Sequence, residues 1–195
     1  MRKDFAADMW RYEGERSKHW LVRLKYRLFV PSAVYIRLLR NVQGAGSFLS
    51  RYYWMALLKL TQIITGIQIP PQTRIGRGLY IGHLGTIVVN PDAHIGVNFS
   101  IAPGCVVGNA VGKRRGAPTM GDNVYMCANS VVVGGVTIGN DVLFAPGAFC
   151  NFDVPSNALV IGNPGVIHMR SKSPTAPYIT YPIPDEASYG IHPGL

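Results

Sequence analysis

Aliphatic residues recur every six positions across residues 67–168, and this repeat is the dominant pattern of the chain. A small or apolar residue usually stands four positions after each of them. The residues that open the repeats are Ile69, Ile75, Ile81 and Ile87, then Val89, Ile95, Ile101 and Val107, then Met120, Met126, Val132, Ile138, Phe144 and Cys150. A helix would show a period of about 3.6 residues and an antiparallel strand strict alternation, so neither explains the pattern.

A six-residue period is typical of a chain that winds through triangular coils. Each opening residue points inward, the small residue lets the chain turn a corner, and three faces make one coil of about 18 residues. Stacked coils pair as parallel sheets and bury a column of Ile and Val side chains. We therefore predict a mainly β fold, a parallel β-helix of hexapeptide repeats, preceded by an α-helical segment.

The repeat changes phase at two places and then ends. It shifts by two residues between Ile87 and Val89, and residues 109–119 (NAVGKRRGAPT) interrupt it with a polar, glycine-rich stretch that we expect to leave the coil as a loop. Beyond residue 168 there is a proline-rich tail, residues 169–195, expected to lie on the surface or on a neighbouring subunit.

Residues 1–66 lack the repeat and are predicted to be helical. One helix is expected over residues 15–29, and Pro31 suits the first turn of a second helix that ends near residue 40. Ser47 is a candidate cap for a third helix that ends near Gly66.

Basic residues concentrate in this helical segment. Residues 1–66 carry 12 Lys/Arg and 4 Asp/Glu, whereas residues 67–195 carry 7 and 6. Two interpretations stay open: an amphipathic element on the inner face of an anionic membrane, or a cap packed on the β-helix or on other subunits. Nucleic-acid binding is not expected, because no recognition motif accompanies the charge.

A cytoplasmic location is expected from the N-terminus and the cysteines. Met1 to Arg16 has no apolar core typical of a signal peptide, and the most apolar stretch, residues 52–69, is too short and too polar for a span of about 20 residues. The cysteines, Cys105, Cys127 and Cys150, are odd in number and without a CxxC spacing, so buried, inert thiols are predicted.

Three stretches of the repeat segment carry a resemblance to a known family: GIQIPPQTRIGRGLYIGHLGTIVVN, GKRRGAPTMGDNVYM and ALVIGNPGVI. They resemble the serine O-acetyltransferase branch of the hexapeptide-repeat acyltransferases, most of all the acetyltransferases of capsule and exopolysaccharide clusters, including colanic-acid types. The resemblance implies a left-handed coil, which the spacing alone does not set. It also implies a homotrimer, acetyl-CoA as the donor and no metal.

Most serine-handling positions of this branch are changed here. Its serine acetyltransferases have an Asp fifteen residues before a His and a second acidic residue just before that His; the corresponding residues are Gln68, His83 and Gly82. A second family histidine aligns with Ala117. We therefore expect the acceptor to be a sugar hydroxyl of a surface polysaccharide or of its lipid- or nucleotide-linked precursor. Serine acetylation in cysteine biosynthesis is the alternative.

Acyl transfer from a thioester needs a base for the incoming hydroxyl and a stabiliser for the tetrahedral oxyanion. An imidazole, with an ordinary pKa of about 6.5, suits the first task. His83 is the candidate base, against the plainer interpretation of a surface histidine, and Gln68 is either the group that orients it or a polar corner residue. The other histidines, His19, His94, His168 and His192, lie in no matching motif.

The resemblance places CoA in the groove between neighbouring subunits. The residues it implies along that groove are the small residues Ala128, Ala145 and Gly147 and the turn Gly162, Asn163 and Pro164. The basic residues Lys113, Arg114 and Arg115 are candidates to bind the CoA phosphates or to attract an acidic glycan. Tight corners also need small residues, and a basic loop is often only solvated, so these alternatives stay open. Gly165 stands where the family usually has Ala.

Two other functions compete on the same fold. A γ-type carbonic anhydrase needs three histidines converging on zinc, yet only His83 and His94 lie in the coil before the loop. A scaffold without catalytic activity is the other possibility, and it would fail to bind acetyl-CoA.

Overall fold

The computed structural model describes residues 3–183, which form a bundle of helices followed by a β-helix. The helices are α1 (Lys3–Glu13), a 3₁₀ turn (Gly14–Lys18), α2 (Trp20–Leu28), α3 (Pro31–Gln43) and α4 (Phe48–Thr65). Across residues 3–183, none of these helices has the length and apolar character needed to cross a membrane.

Fourteen short strands follow within the described residues and form three sheets, the faces of a triangular coil. The first face contains β1 (Ile67–Gln68), β3 (Ile87–Val89), β6 (Val106–Gly108), β9 (Val131–Val133) and β12 (Phe149–Cys150). The second contains β2 (Arg74–Ile75), β4 (His94–Ile95), β7 (Thr119–Met120) and β10 (Thr137–Ile138). The third contains β5 (Ser100–Ile101), β8 (Tyr125–Met126), β11 (Leu143–Phe144), β13 (Ala158–Ile161) and β14 (Val166–Met169).

Neighbouring strands pair in parallel, except that β14 runs antiparallel to β13. The architecture is therefore the predicted left-handed parallel β-helix with helices at its N-terminal end.

The strand register explains both changes of phase. Ile67 pairs with Ile87, twenty residues on, whereas Val88 pairs with Val106, eighteen residues on. The two extra residues lie in the corner that follows Ile81. Ser100 pairs with Tyr125, twenty-five residues on, so the interruption after β6 adds seven residues to this coil. The added residues leave the coil as a loop, as expected.

The repeat-opening residues form the core of the β-helix. All of them, from Ile69 to Cys150, are at most 8% exposed. Burying each aliphatic side chain stabilises the fold by roughly 1.5–3 kcal/mol, which is why the six-residue pattern determines the coil. Cys105 and Cys150 are buried free thiols as predicted, whereas Cys127 lies at a corner and is only half-buried.

The helical segment follows the prediction in part. The helix expected over residues 15–29 begins only at Trp20, because Gly14, at φ 54°, starts a separate 3₁₀ turn. Pro31 begins α3, which continues to Gln43. The Ser47 hydroxyl accepts a hydrogen bond from the Ser50 N–H at 3.3 Å, and α4 ends at Thr65, just before Gly66, which has φ 74°.

A buried ion pair attaches the helices to the first coil. The Arg40 guanidinium of α3 donates to the Asp8 carboxylate of α1 at 2.9 Å, and both side chains are at most 4% exposed. Asp8 also accepts from the backbone N–H groups of Gly78 and Leu79 at 2.9 Å each. Helices α1 and α3 therefore form a cap on the β-helix, one of the two interpretations left open by the sequence.

The tail runs back over the chain's own third face. The Ser173 hydroxyl donates to the Asp141 carboxylate at 2.7 Å, and the Tyr178 ring lies 5.3 Å from that of Tyr125. The Ile183 N–H donates to the Asn98 side chain at 2.8 Å. His192 and the rest of residues 184–195 lie outside the described residues.

Candidate active site

His83 lies in the corner that joins the third face to the first face of the next coil. Tyr80, just before this corner, bridges to Ser100 of β5, and β3 begins at Ile87. The His83 side chain is exposed. Among the described residues, none forms a hydrogen bond or an ion pair with the imidazole. The candidate base therefore faces solvent on a single chain and has its ring nitrogens free for a substrate.

The backbone on either side of His83 has little side-chain bulk, because Gly82 and Gly85 flank it. Gly85 has φ 149°, and a Cβ there would lie 2.8 Å from the Pro103 side chain, so only glycine fits. A Cβ at Gly82 would lie 3.1 Å from the hydroxyl and ring edge of Tyr80. The Tyr80 ring thus lies against Gly82, the position at which the family resemblance implies an acidic residue.

Helix α1 holds the segment of chain that leads into this corner. The Tyr12 hydroxyl donates to the Ile81 carbonyl at 2.9 Å and accepts from the Ile81 N–H at 3.2 Å. Burial raises the pKa of the Tyr12 hydroxyl, so it stays protonated and able to donate. The Tyr12 and Tyr80 rings pack with centroids 4.6 Å apart. Sequence reasoning missed Tyr12, because no spacing or motif relates it to residue 81.

The end of α4 holds the corner from its other side. The Gly85 N–H donates to the Thr65 carbonyl at 3.3 Å, and the Ile87 N–H donates to the Gly66 carbonyl at 3.2 Å. The helical segment and the two glycines therefore jointly determine the conformation of the backbone at His83.

Successive corners stack on the His83 corner and form a column along one edge of the β-helix. Backbone hydrogen bonds join Gly104 to Thr86, Asn129 to Pro103, and Gly147 to Ala128, at 2.7–3.0 Å. The Phe149 N–H then donates to Gly162 at 2.9 Å. With about 4.8 Å between coils, the last corner lies roughly 19 Å from that of His83.

This corner column brings together most of the predicted site residues. His83 lies at its N-terminal end, and the residues along it are Ala128, Ala145, Gly147, Gly162, Asn163 and Pro164. Gly147 has φ 71° and open space where a Cβ would be. At Gly165 a Cβ would overlap the Phe149 carbonyl oxygen, which explains why this chain has glycine rather than alanine there.

The basic residues of the loop lie at a different corner. Lys113, Arg114 and Arg115 are exposed between the first and second faces. The Arg114 guanidinium forms an ion pair with Asp153 at 2.8 Å. A hydrogen bond from the Thr137 N–H, followed by the Arg114 contact, lowers the pKa of the Asp153 carboxyl. Within one chain, the first face therefore separates these cations from the corner column.

The structure does not link Gln68 to His83 within the described part of the chain. Gln68 lies on β1 with an exposed side chain, and its backbone pairs with Val88. His94 and His168 are exposed on β4 and β14, and His19 is exposed just before α2. In residues 3–183, no group of three or more His, Cys, Asp or Glu side chains is arranged to hold a metal ion.

No family model matches the chain. It is 35% identical over 117 residues to the serine acetyltransferase of Helicobacter pylori, a match that covers 58% of this chain and 68% of that relative. The serine acetyltransferase of Synechococcus elongatus is also 35% identical over 117 residues, covering 59% of this chain and 48% of that relative. The chain thus spans about half to two thirds of the length of these curated relatives.

A solved structure supports the same likeness. The crystal structure of Neisseria gonorrhoeae serine acetyltransferase matches with a TM-score of 0.72 and 27% sequence identity. The match covers 90% of this chain and 69% of that one. It therefore includes the helical segment as well as the β-helix.

Proposed function

Because this chain belongs to the serine acetyltransferase family, we propose that it transfers an acetyl group from acetyl-CoA to a hydroxyl group. The observation that carries the proposal is the corner column. It has an exposed imidazole at one end and a line of small residues that leaves room for an extended substrate beside the coil. Acetyl transfer needs this combination of a base and an open binding edge.

His83 is the general base of the proposed reaction. Its imidazole takes the proton of the acceptor hydroxyl while that oxygen attacks the thioester carbonyl carbon. When the tetrahedral intermediate collapses, the carbon–sulfur bond breaks and the imidazolium returns the proton to the leaving sulfur. A base of this kind contributes about 10²–10⁴-fold to the rate. A backbone N–H is the proposed stabiliser of the oxyanion.

Gln68 and the loop cations enter the proposal through the assembly. We propose a homotrimer, because Lys113, Arg114 and Arg115 are separated from the corner column of their own chain. In such an assembly a neighbouring chain supplies these cations to the CoA phosphates. Gln68 remains the candidate that orients His83, and its exposed carboxamide is free to do so when a substrate or a neighbouring chain closes the groove.

Serine is the first candidate for the acceptor. The relatives at 35% identity and the matching solved structure are named serine acetyltransferases. This favours the alternative drawn from the sequence over the leading expectation of a sugar acceptor. The comparisons give no support to a colanic-acid type enzyme or to a role in polysaccharide biosynthesis.

A sugar hydroxyl is kept as the second candidate because of one specific observation. Gln68, Gly82 and Ala117 stand where serine acetyltransferases have charged or titratable groups, and within residues 3–183 no acidic side chain contacts His83. A free amino acid presents an ammonium and a carboxylate, which are bound well by groups of opposite charge. A neutral sugar does not need such partners.

An acceptor panel separates these candidates. Release of the CoA thiol from acetyl-CoA is measured with serine, with nucleotide-linked sugars and with lipid-linked sugars. Alanine, which lacks the hydroxyl, is the matched control for serine. Thiol release that depends on serine and not on alanine supports the first candidate, and sugar-dependent release supports the second. A chain that neither binds acetyl-CoA nor releases its thiol with any acceptor is a scaffold, which contradicts the proposed activity.

A further inference from the structure

Helix α4 presents an apolar face that nothing in the described chain covers. Seven of its large apolar side chains are 58–82% exposed. They are Phe48, Leu49, Tyr52, Tyr53, Leu60, Ile63 and Ile64. At about 3.6 residues per turn they fall within an arc of roughly 160° along the whole helix. Leu58 and Thr65, on the opposite side, are buried against the rest of the protein.

Helix α2 presents a second apolar face. None of its residues is buried. Its exposed apolar side chains, together with the residue that follows it, are Trp20, Leu21, Leu24, Leu28 and Phe29, at 42–74% exposure. Scattered exposed apolar residues are ordinary, but twelve on two helices are a mark of an interaction site. We call the twelve residues the N-terminal apolar surface.

The three helices α2, α3 and α4 carry charges of one sign. Residues 20–65 contain seven Lys/Arg and no Asp or Glu. Of these seven, Arg40 is paired with Asp8, and within the described residues the other six form no ion pair. A negatively charged partner would therefore complement this part of the chain.

Two arginines at the edge of the surface lie together without an anion. The Nε atoms of Arg27 in α2 and Arg37 in α3 are buried and have no hydrogen-bond partner. Burial, followed by the nearby charge of Arg27, lowers the pKa of Arg37. Tyr53, one of the exposed residues of α4, is close enough to act on the same group. Arg37 of α3 therefore lies near both Arg27 of α2 and Tyr53 of α4, the two helices that carry the apolar residues.

We propose that the N-terminal apolar surface binds an anionic phospholipid bilayer, with α2 and α4 lying in the plane of the membrane interface. The apolar side chains enter the boundary between headgroups and acyl chains, and Arg27 and Arg37 contact lipid phosphates. A second copy that meets this surface with its own apolar surface is a poorer occupant, because it brings the same cations and no acidic partner. The proposal does not depend on acetyl transfer.

Flotation with vesicles tests the proposal on the full chain. Vesicles of phosphatidylcholine alone are compared with vesicles of phosphatidylcholine and phosphatidylglycerol in equal parts, at low and at high salt. We expect binding to the anionic vesicles that weakens as salt rises. For Ile63→Glu we expect vesicle binding at least about tenfold weaker, because the variant no longer inserts one large aliphatic side chain into the apolar part of the bilayer. Val111→Glu, at 84% exposure in the loop against 82% for Ile63, is the matched control and keeps full binding.

A second pair of variants tests the arginines. The double variant Arg27→Gln with Arg37→Gln is expected to lose the preference for anionic vesicles, while Arg170→Gln with Lys172→Gln, which removes two exposed charges elsewhere, keeps it. Circular dichroism confirms that each variant is folded. Equal binding of the wild type to both kinds of vesicle would overturn the proposal. A wild type that binds neither kind would also overturn it. If light scattering then shows that Ile63→Glu breaks up an assembly, the surface is covered by a second copy.

Discussion

The Tyr12 hydroxyl bonds both backbone groups of Ile81, two residues before His83. One phenol therefore satisfies both the donor and the acceptor of this backbone position. It ties the first helix of the chain to the backbone that carries the candidate base.

Replacing Tyr12 by phenylalanine tests this link. Tyr12→Phe leaves the N–H and carbonyl of Ile81 without their partner beside a buried side chain. It is expected to lower the free energy of unfolding by about 1–3 kcal/mol and to reduce turnover by loosening the His83 corner. Thermal melting and acetyl-CoA turnover measure the two effects.

Tyr26→Phe is the matched control, because the Tyr26 hydroxyl bonds Glu13 and not the coil. It removes the same hydroxyl and is expected to leave turnover unchanged. Equal losses of turnover in the two variants would argue against a positioning role for Tyr12.

The repeat predicts the fold because its information is local. Each opening residue, such as Ile95 or Val132, is buried in the core whichever coil it belongs to. The six-residue spacing alone therefore locates the faces. The bounds of α1 cannot be predicted in this way, because its residues Asp8 and Tyr12 contact residues about seventy positions further along the chain. No local pattern in the sequence records such contacts.

The sequence motifs predict some residues of the candidate site better than others, for a related reason. Ala128 and Gly147 are candidates through the family resemblance, and both lie in the corner column because the corners stack. The basic loop was grouped with them by its motif, yet Arg114 lies a face away, paired with Asp153. Motif order along the chain does not give the corner of the coil at which a loop emerges.

Protection of Cys127 tests where acetyl-CoA lies. Cys127 is half-buried in the corner column beside Ala128, whereas Cys105 and Cys150 are buried. Burial raises the pKa of all three thiols, so alkylation of the native protein should be slow, rise with pH and favour Cys127. Acetyl-CoA is expected to slow modification of Cys127, as read by peptide mass spectrometry. An unchanged rate at saturating acetyl-CoA would place the donor elsewhere.

Gly165→Ala tests the terminal turn of the column. A Cβ at Gly165 overlaps the Phe149 carbonyl oxygen, so the turn must shift, at a cost of about 1–3 kcal/mol in stability. We expect a lower melting temperature together with a higher KM for acetyl-CoA. Gly46→Ala, which meets nothing within 4 Å and lies in the turn between α3 and α4, is the control and should match the wild type in both measurements. A wild-type KM in Gly165→Ala would remove this turn from the binding edge.

The central claim is that His83 is the base of an acetyl transfer, and its most direct test is acceptor-dependent release of the CoA thiol by His83→Ala. His94→Ala is the matched control, since His94 is also exposed but lies on the second face. Because the His83 side chain makes no hydrogen bond or ion pair within residues 3–183, both variants should melt like the wild type. We predict that His83→Ala loses at least about 100-fold in turnover while His94→Ala keeps the wild-type rate. Wild-type turnover by His83→Ala would contradict the account.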